Sequence, residues 1–222
     1  MSTRCFVLTL GVCSAVLAGC ATDAQRRAQS LRSQIGAVMS TSRKCTDAVN
    51  AEPKYAPRFV HVPRPGASPT MEQLADTSYA TPSEILLEEA HHDAILPCRD
   101  AAVAQLGNAD NRFALVLSSA FNDSDAIILS LVQKKLTWGD ANRQNQQLVL
   151  ATGQKLRSVG GEIDSELQQE NEAELAHRAQ VAQAISQALG AAAQAAEAAQ
   201  AARPIVTTCS GSANYASCVT RQ

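Results

Sequence analysis

The sequence is poor in aromatic residues, which make up 4% of its 222 residues: 1 Trp, 3 Tyr and 4 Phe. Aromatic side chains supply much of the buried area in many cores, so their scarcity argues against a bulky globular core. Alanine instead becomes abundant towards the C-terminus, where residues 190–202 are almost entirely Ala, Gln and Glu. This composition favours slim, closely packed helices.

The sequence also lacks a dominant charge and any catalytic motif. Its 19 Lys and Arg and 21 Asp and Glu give a net charge of −2, without the basic excess that contacts nucleic-acid phosphates. It contains no nucleophile elbow around a serine, no phosphate-binding glycine loop and no H-E-x-x-H motif. We therefore expect no nucleic-acid partner, no cofactor and no enzyme activity.

The first apolar run is too short to span a membrane. It extends from Cys5 to Ala18 after a positive charge at Arg4, and no acidic residue precedes Asp23. A spanning helix needs roughly 20 apolar residues, whereas a short run that ends in small residues is typical of an export signal. Residues 1–19 are thus predicted to be a cleaved signal peptide, and no second uninterrupted run of spanning length follows.

The signal ends in Leu17-Ala18-Gly19-Cys20, which resembles the lipobox of bacterial lipoprotein precursors. The resemblance implies cleavage before Cys20, attachment of diacylglycerol to its sulfur and acylation of the new amino terminus. In the enterobacterial sorting pattern, Asp after the lipidated cysteine retains a lipoprotein in the inner membrane, but here that residue is Ala21. The resemblance therefore implies a lipid anchor at the outer membrane, facing the periplasm.

Four cysteines remain once the signal is removed and Cys20 carries lipid. They are Cys45, Cys98, Cys209 and Cys218. In an oxidising exported compartment an even number of cysteines indicates disulfides, here two, which can be joined in three ways.

The sequence favours the pairs Cys45–Cys98 and Cys209–Cys218. The first two cysteines fall on apolar stripes of predicted helices, and the last two flank a predicted turn. The Cys45–Cys98 bond would close a loop of about 54 residues, worth roughly 4 kcal/mol in the chain-entropy model. Crossed pairs would have to bring both arms of the tail to two separate helices.

The spacing of apolar residues predicts an all-α fold: an antiparallel helical bundle with one long C-terminal helix and a small disulfide-closed β-hairpin tail. Residues 20–136 form the lipid-anchored helical region, with a Pro-rich surface connection at 53–81. Residues 137–203 form the long helix, whose register is compatible with a coiled coil without demanding one. Residues 204–222 form the Cys-bracketed hairpin tail.

Within the helical region, helices are expected at 22–51, from the capping box that begins at Thr81, and at 108–136. Pro97 should kink or divide the second of these. Trp138 stands beside a Thr-x-x-Asp capping box and is predicted to plug the turn into the long helix. Gly160-Gly161 is the expected hinge within that helix, because two glycines disfavour helix by about 2 kcal/mol relative to two alanines.

Glu-x-x-His motifs occur at 88–91, 89–92 and 174–177. In ferritin-like bundles two such motifs and two further glutamates hold two metal ions. The first and third predicted helices offer no Glu on their apolar stripes, so these side chains are predicted to be solvated and metal-free.

These features favour a structural or interaction role: a membrane-anchored module whose long helix engages another envelope protein or a copy of itself. An accessory lipoprotein of a secretion or conjugation system is one alternative, and a metal- or small-ligand-binding bundle is another. The mature part also resembles uncharacterised helical proteobacterial lipoproteins with a Cys-bracketed tail, which implies no particular activity.

Overall fold

The chain is mostly helical in the computed structural model, which describes residues 21–202, 206–212 and 215–221. The predicted signal peptide and Cys20 lie outside the described residues. The elements, in chain order, are α1 (Asp23–Asn50), a 3₁₀ helix (Pro53–Val60), α2 (Met71–Ala75), α3 (Pro82–Ala109), α4 (Asn111–Val132), α5 (Trp138–Ala201), β1 (Val206–Ser212) and β2 (Tyr215–Arg221). The chain forms two compact units, an N-terminal unit (Met1–Asn171) and a C-terminal unit (Glu172–Gln222).

Threonine side chains cap the starts of several helices. The hydroxyl oxygens of Thr22, Thr70 and Thr81 each accept a hydrogen bond from the backbone N–H three residues later, and the side chain there accepts one in return. Thr137 Oγ1 likewise accepts from Asp140 N at 3.1 Å, at the start of α5. The capping box predicted at Thr81 is confirmed, whereas at Thr137 the hydroxyl caps Asp140 N and donates to Asp140 Oδ2, without the reciprocal bond to the backbone of Thr137.

The core of the N-terminal unit lies where α1, α3, α4 and α5 meet. Its buried members come from one face of each helix: Val38, Ala102, Leu106, Phe113, Ala114 and Ile163. All of these helices were predicted from apolar residues at helical spacing, and burying those faces against one another removes apolar surface from water.

Neighbouring helices in this unit run in opposite directions. Thr22 Oγ1, at the start of α1, donates to Asn171 Oδ1 at 2.6 Å, and Arg32 pairs with Asp164 at 2.8 Å. Moving forward along α1 therefore means moving backward along α5. The Cys45–Cys98 disulfide, with a Cα–Cα distance of 5.7 Å, joins α1 to α3.

That disulfide is the predicted pair, but one of its cysteines is placed differently from the prediction. Cys98 is buried, as expected, whereas Cys45 is exposed on α1. The buried face of α1 has shifted by the time the chain reaches Cys45, so extrapolating the stripe from Val38 placed this residue inside.

The Pro-rich segment 53–81 is not an extended surface connection throughout. It contains the 3₁₀ helix and α2, and it packs against α3 through Tyr55, whose hydroxyl donates to Ala90 O at 3.1 Å. Gln73 Nε2 donates to Val62 O at 2.8 Å and to Phe59 O at 3.2 Å, which folds the segment onto itself. The segment therefore packs along the helices, although its sequence has no helical periodicity.

Three local expectations were wrong or inexact. Pro97 does not divide α3, which runs from Pro82 to Ala109. The third predicted helix is shorter than 108–136, because Asp110 both ends α3 and caps α4. Lys134, with φ of 55°, lies in the turn that follows α4. Helix α5 is continuous through Gly160-Gly161.

Helix α4 is long and apolar enough to cross a membrane by length and composition alone. No spanning segment was predicted here, because Asp123 and Asp125 interrupt the apolar run. Phe113, Ala114 and Leu131 of α4 are buried within the N-terminal unit. Length and composition therefore do not by themselves make α4 an anchor.

The C-terminal unit comprises the second part of α5 and a β-hairpin. Strands β1 and β2 are antiparallel, with Cys209 opposite Cys218. These two cysteines form a disulfide with a Cα–Cα distance of 4.0 Å, as predicted. Residues 203–205, 213–214 and 222 of the predicted long helix and tail lie outside the described residues.

Candidate functional site

A cavity of about 380 Å³ lies within the N-terminal unit. It is bounded by α1, the Pro-rich segment, α3, α4 and the start of α5. Most of its wall is apolar, but charged and amide side chains also face it. The residues that line it include Asn50, Arg58, Glu88, His91, His92, Arg99, Phe121, Ile128, Trp138 and Asn142.

A buried ion pair forms one part of the wall. Arg58 Nε donates to Glu88 Oε1 at 2.6 Å and Arg58 Nη2 donates to Glu88 Oε2 at 2.9 Å. The side chains of Arg58 and Glu88 are only 11% and 4% exposed. Such a two-point contact neutralises both charges and fixes their orientation.

His91 extends this ion pair towards α1. Arg58 Nη1 donates to His91 Nε2 at 2.7 Å, and the same nitrogen lies 3.0 Å from Asn50 Oδ1. Burial, and then the positive charges of Arg58 and His92, lower the pKa of His91 from 6.5 to about 3. His91 is therefore neutral at physiological pH and accepts a hydrogen bond from Arg58.

The prediction that Glu88 and His91 are solvated was wrong, since both are buried. The reason is Arg58, which comes from the Pro-rich segment and supplies the charge that Glu88 needs. Burying a carboxylate without such a partner would be strongly unfavourable. Glu89 is exposed and His92 is half-buried, as the sequence pattern at the edge of a helix allows.

Arg99 forms a second polar group in the cavity wall. It is 9% exposed, its Nη1 donates to Asp125 Oδ1 at 2.6 Å, and its guanidinium lies 4.4 Å from the centroid of the Phe121 ring. His92 Nε2 lies 3.1 Å from the same Asp125 oxygen. One carboxylate therefore serves two basic side chains.

Trp138 closes the cavity near the end of α4. It is 1% exposed, and it packs with Leu131 and Ala141, which confirms the predicted plug. Its ring also stacks on His61, with centroids 4.8 Å apart. Among the residues that the structure describes, none offers a hydrogen-bond acceptor to Trp138 Nε1, although this atom is buried.

His61 holds the Pro-rich segment beneath Trp138. Its Nδ1 lies 2.7 Å from Asp76 Oδ2 and its Nε2 lies 3.0 Å from Glu84 Oε1. Burial would raise the pKa of Asp76, but hydrogen bonds from Ser78 and His61 outweigh it and lower that pKa below 3.8. Both carboxylates therefore remain charged acceptors at neutral pH.

The start of α5 approaches this segment closely. A Cβ atom at Gly139 would lie 2.6 Å from Asp76 O and 2.7 Å from Leu74 O, so only glycine fits there. Asn142 Nδ2 donates to His61 O at 2.7 Å and to Gln73 O at 3.0 Å. These contacts hold the floor of the cavity in place.

The third Glu-x-x-His motif lies in the C-terminal unit and differs from the first. Glu174 Oε1 accepts from Arg178 Nη2 at 2.5 Å, and His177 is exposed. In the described part of the chain no group of three or more His, Cys, Asp or Glu side chains could hold a metal ion.

The second part of α5 has an exposed apolar face. From Glu172 to Ala201 no side chain is buried. Four large apolar side chains there are between 45% and 55% exposed: Leu175, Val181, Ile185 and Leu189. This face and the cavity are two features of the described chain to which another molecule could bind.

Sequence reasoning missed the cavity because Arg58, Arg99 and Asn142 belong to no short motif. The available signal was a charged and an aromatic side chain, Arg99 and Phe121, on two helices that were predicted to pack together. Comparison with known proteins adds nothing to this description, since no family model, curated protein or solved structure matches the chain.

Proposed function

We propose that this chain is a lipoprotein of the bacterial envelope, anchored through Cys20 at the outer membrane and facing the periplasm, that acts as a structural or interaction module. We further propose that the exposed apolar face of α5 pairs with a second copy of the chain as a coiled coil. The observation that carries this proposal is the absence of any buried side chain between Glu172 and Ala201.

The apolar face repeats every seven residues. Leu175, Ala182, Leu189 and Ala196 form one row, and Ile185, Ala192 and Ala199 form a second row three residues away. Gln180, Gln187 and Gln194 lie on the opposite side of the helix. A seven-residue apolar repeat with polar residues opposite is the pattern of helices that supercoil around each other.

A second copy suits this face better than a charged partner does. Between Ala179 and Ala201, Glu197 is the one charged side chain. The helix therefore has no pattern of charges that could pair with opposite charges on a different protein. Its alanines would let two helix axes approach to about 8 Å, the close end of helix packing. The same face on two chains is complementary to itself.

Lipid anchoring and export are supported by separate observations. The lipobox-like residues 17–20 directly follow a signal-like run, and the two disulfides suit an oxidising compartment outside the cytoplasm. Replacing Cys20 by Ser should move the protein out of the membrane fraction. If the variant stays wholly membrane-bound after fractionation, the lipid anchor is refuted.

Self-association is tested by placing one charge on either side of the helix. Ile185→Asp puts a carboxylate in the apolar face and should weaken the dimer at least tenfold in sedimentation experiments, because the charge would have to be buried. Gln187→Asp adds the same charge to the polar side and should leave the dimer intact.

A photo-crosslinker at Leu189 tests the partner in cells. Crosslinks between two copies would support the proposal. Crosslinks to a different protein alone would refute self-association and favour the heterologous interaction instead. A monomeric wild-type protein without crosslinks would refute the proposed role of this face.

A further inference from the structure

The cavity of the N-terminal unit has the size and wall of a small-molecule site. Pockets for small ligands typically measure about 300–1,000 Å³ and are lined by apolar side chains with a few polar groups. One water molecule occupies about 30 Å³ in the liquid. This cavity of about 380 Å³ therefore has room for about a dozen non-hydrogen atoms. Phe121, Ile128 and Leu131 supply an apolar wall along α4.

Hydrogen-bond donors outnumber acceptors in this wall. Arg99 has five N–H donors, and in the described part of the chain it donates a hydrogen bond only to Asp125. The same Asp125 oxygen also contacts His92, so Asp125 leaves most N–H donors of the Arg99 guanidinium without an acceptor. The remaining edge of Arg99 is a fork of the geometry that a carboxylate fits.

Trp138 provides a second and independent sign of a missing acceptor. Its Nε1 is buried and has no acceptor among the described residues. Buried donors normally have a protein or water partner.

The other charged groups of the cavity do not attract an anion. Arg58 is neutralised by Glu88 through two hydrogen bonds, and His91 accepts a hydrogen bond from Arg58. Arg58 thus uses three of its five N–H donors and Arg99 uses one of five, so Arg99 has the larger unused donor capacity. Its stacking on Phe121 places the charge directly beside the apolar wall.

We propose that this cavity binds a small amphipathic carboxylate, whose head group accepts hydrogen bonds from the unoccupied edge of Arg99 and whose apolar body lies against Phe121, Ile128 and Trp138. This site is independent of the proposed pairing of α5. The ligand has about a dozen non-hydrogen atoms. Its apolar body is either aliphatic or aromatic, and both kinds of acid carry the same carboxylate head group.

The test uses a chain that begins at Ala21, exported so that its disulfides form, because it keeps every described residue and needs no detergent. Trp138 is the sole tryptophan of the sequence, so its fluorescence reports on the cavity wall. Decanoate and 4-phenylbutanoate are titrated as the aliphatic and aromatic probes, with decanol as the uncharged control. We expect one acid to bind at least tenfold more tightly than decanol.

Two variants and a control locate the head group. Arg99→Met should weaken binding of the acid at least tenfold. Asp125→Asn should strengthen it about threefold, because the anion no longer competes with a carboxylate, whereas a purely structural Arg99–Asp125 pair predicts no gain. Arg112→Gln removes an arginine that pairs with Asp110 and Glu166 outside the cavity wall and should leave binding unchanged.

Should Arg99→Met fail to fold, Ser124→Leu replaces it as the test, since it fills part of the cavity without removing a charge. Ser124 lines the cavity and is half-buried. We expect at least tenfold weaker binding at unchanged thermal stability. Equal binding of decanol and decanoate, no binding of either acid, or weaker binding by Asp125→Asn would overturn the proposal.

Discussion

In the N-terminal unit one Arg–Glu pair is buried, whereas in the C-terminal unit a comparable pair stays near the surface. Arg58 and Glu88 are 11% and 4% exposed, but Arg178 and Glu174 are 35% and 25% exposed. Both pairs join Arg to Glu with short hydrogen bonds. The surroundings, and not the chemistry of the pair, therefore decide how much each one matters.

The two units also depend on different partners. Segments of the N-terminal unit pack closely against one another, as Gly139 does against the backbone of Leu74 and Asp76. The helical part of the C-terminal unit buries nothing of its own. Substitutions within the chain should therefore destabilise the N-terminal unit. The C-terminal unit should respond instead to the loss of the proposed second copy.

The largest contrast is expected from cutting the two ion pairs. Arg58→Met leaves Glu88 buried and unpaired and should lower the free energy of unfolding by about 3–5 kcal/mol. Arg178→Met should lower it by less than about 0.5 kcal/mol, as for an exposed pair one helical turn apart. Urea unfolding measures both, followed by Trp138 fluorescence for the first variant and by circular dichroism for the second, and similar losses would contradict the contrast.

The two disulfides give the next contrast. Replacing Cys45 and Cys98 by Ser should lower the free energy of unfolding of the N-terminal unit by about 4 kcal/mol, since the bond closes a long loop. Replacing Cys209 and Cys218 should leave that unit unchanged and abolish the hairpin, because a two-stranded hairpin alone is marginal in water. Urea unfolding and NMR of residues 206–221 report on the two effects separately.

Glycine substitutions should act with opposite signs in the two units. Gly139→Ala forces a Cβ against two carbonyl oxygens and should destabilise the protein by about 1–3 kcal/mol. At Gly190, in the second part of α5, a Cβ would meet no atom within 4 Å. Gly190→Ala should therefore raise helicity and contribute up to about 1 kcal/mol, measured by circular dichroism during thermal unfolding.

The effect that is smallest near neutral pH is a dependence on pH confined to the N-terminal unit. Between pH 6.5 and about 3 the unfolded chain takes up a proton on His91 that the folded protein does not bind. The free energy of unfolding should therefore fall as the pH falls through this range, by up to about 1.4 kcal/mol per pH unit.

His91→Gln is the matched control for this dependence, because its amide oxygen still accepts a hydrogen bond from Arg58 but does not titrate. The variant should show a shallower slope than the wild type in unfolding experiments at several pH values. Parallel slopes would rule out His91 as the group responsible.

The sequence predicted the parts of the fold that depend on local signals. Helix starts at Thr81 and Thr137, and the pairing of Cys209 with Cys218, follow from residues only a few positions apart, so they could be read directly. The pairing of Cys45 with Cys98 also emerged, because both lie on helices that had to pack. The exposure of Cys45 did not, since the buried face of α1 shifts between Val38 and the end of the helix.

The cavity could not be predicted because it is assembled over long distances along the chain. Arg58 lies in a segment without helical periodicity, yet it decides that Glu88 and His91 are buried. Arg99 and Asp125 meet only because Asp110 turns α3 directly into α4. Apolar spacing identifies the faces of helices but contains no information on which polar groups those faces bring together.

The hydrogen bond between Thr22 and Asn171 joins residues separated by 149 positions. Contacts so distant along the chain are slow to form, whereas α3 and α4, joined at Asp110, can associate early. Folding should therefore begin with this helical hairpin, and α1 should remain without its final partner until the chain as far as Asn171 has emerged. A chain that stopped before that point would leave part of the apolar face of α1 uncovered and prone to aggregation.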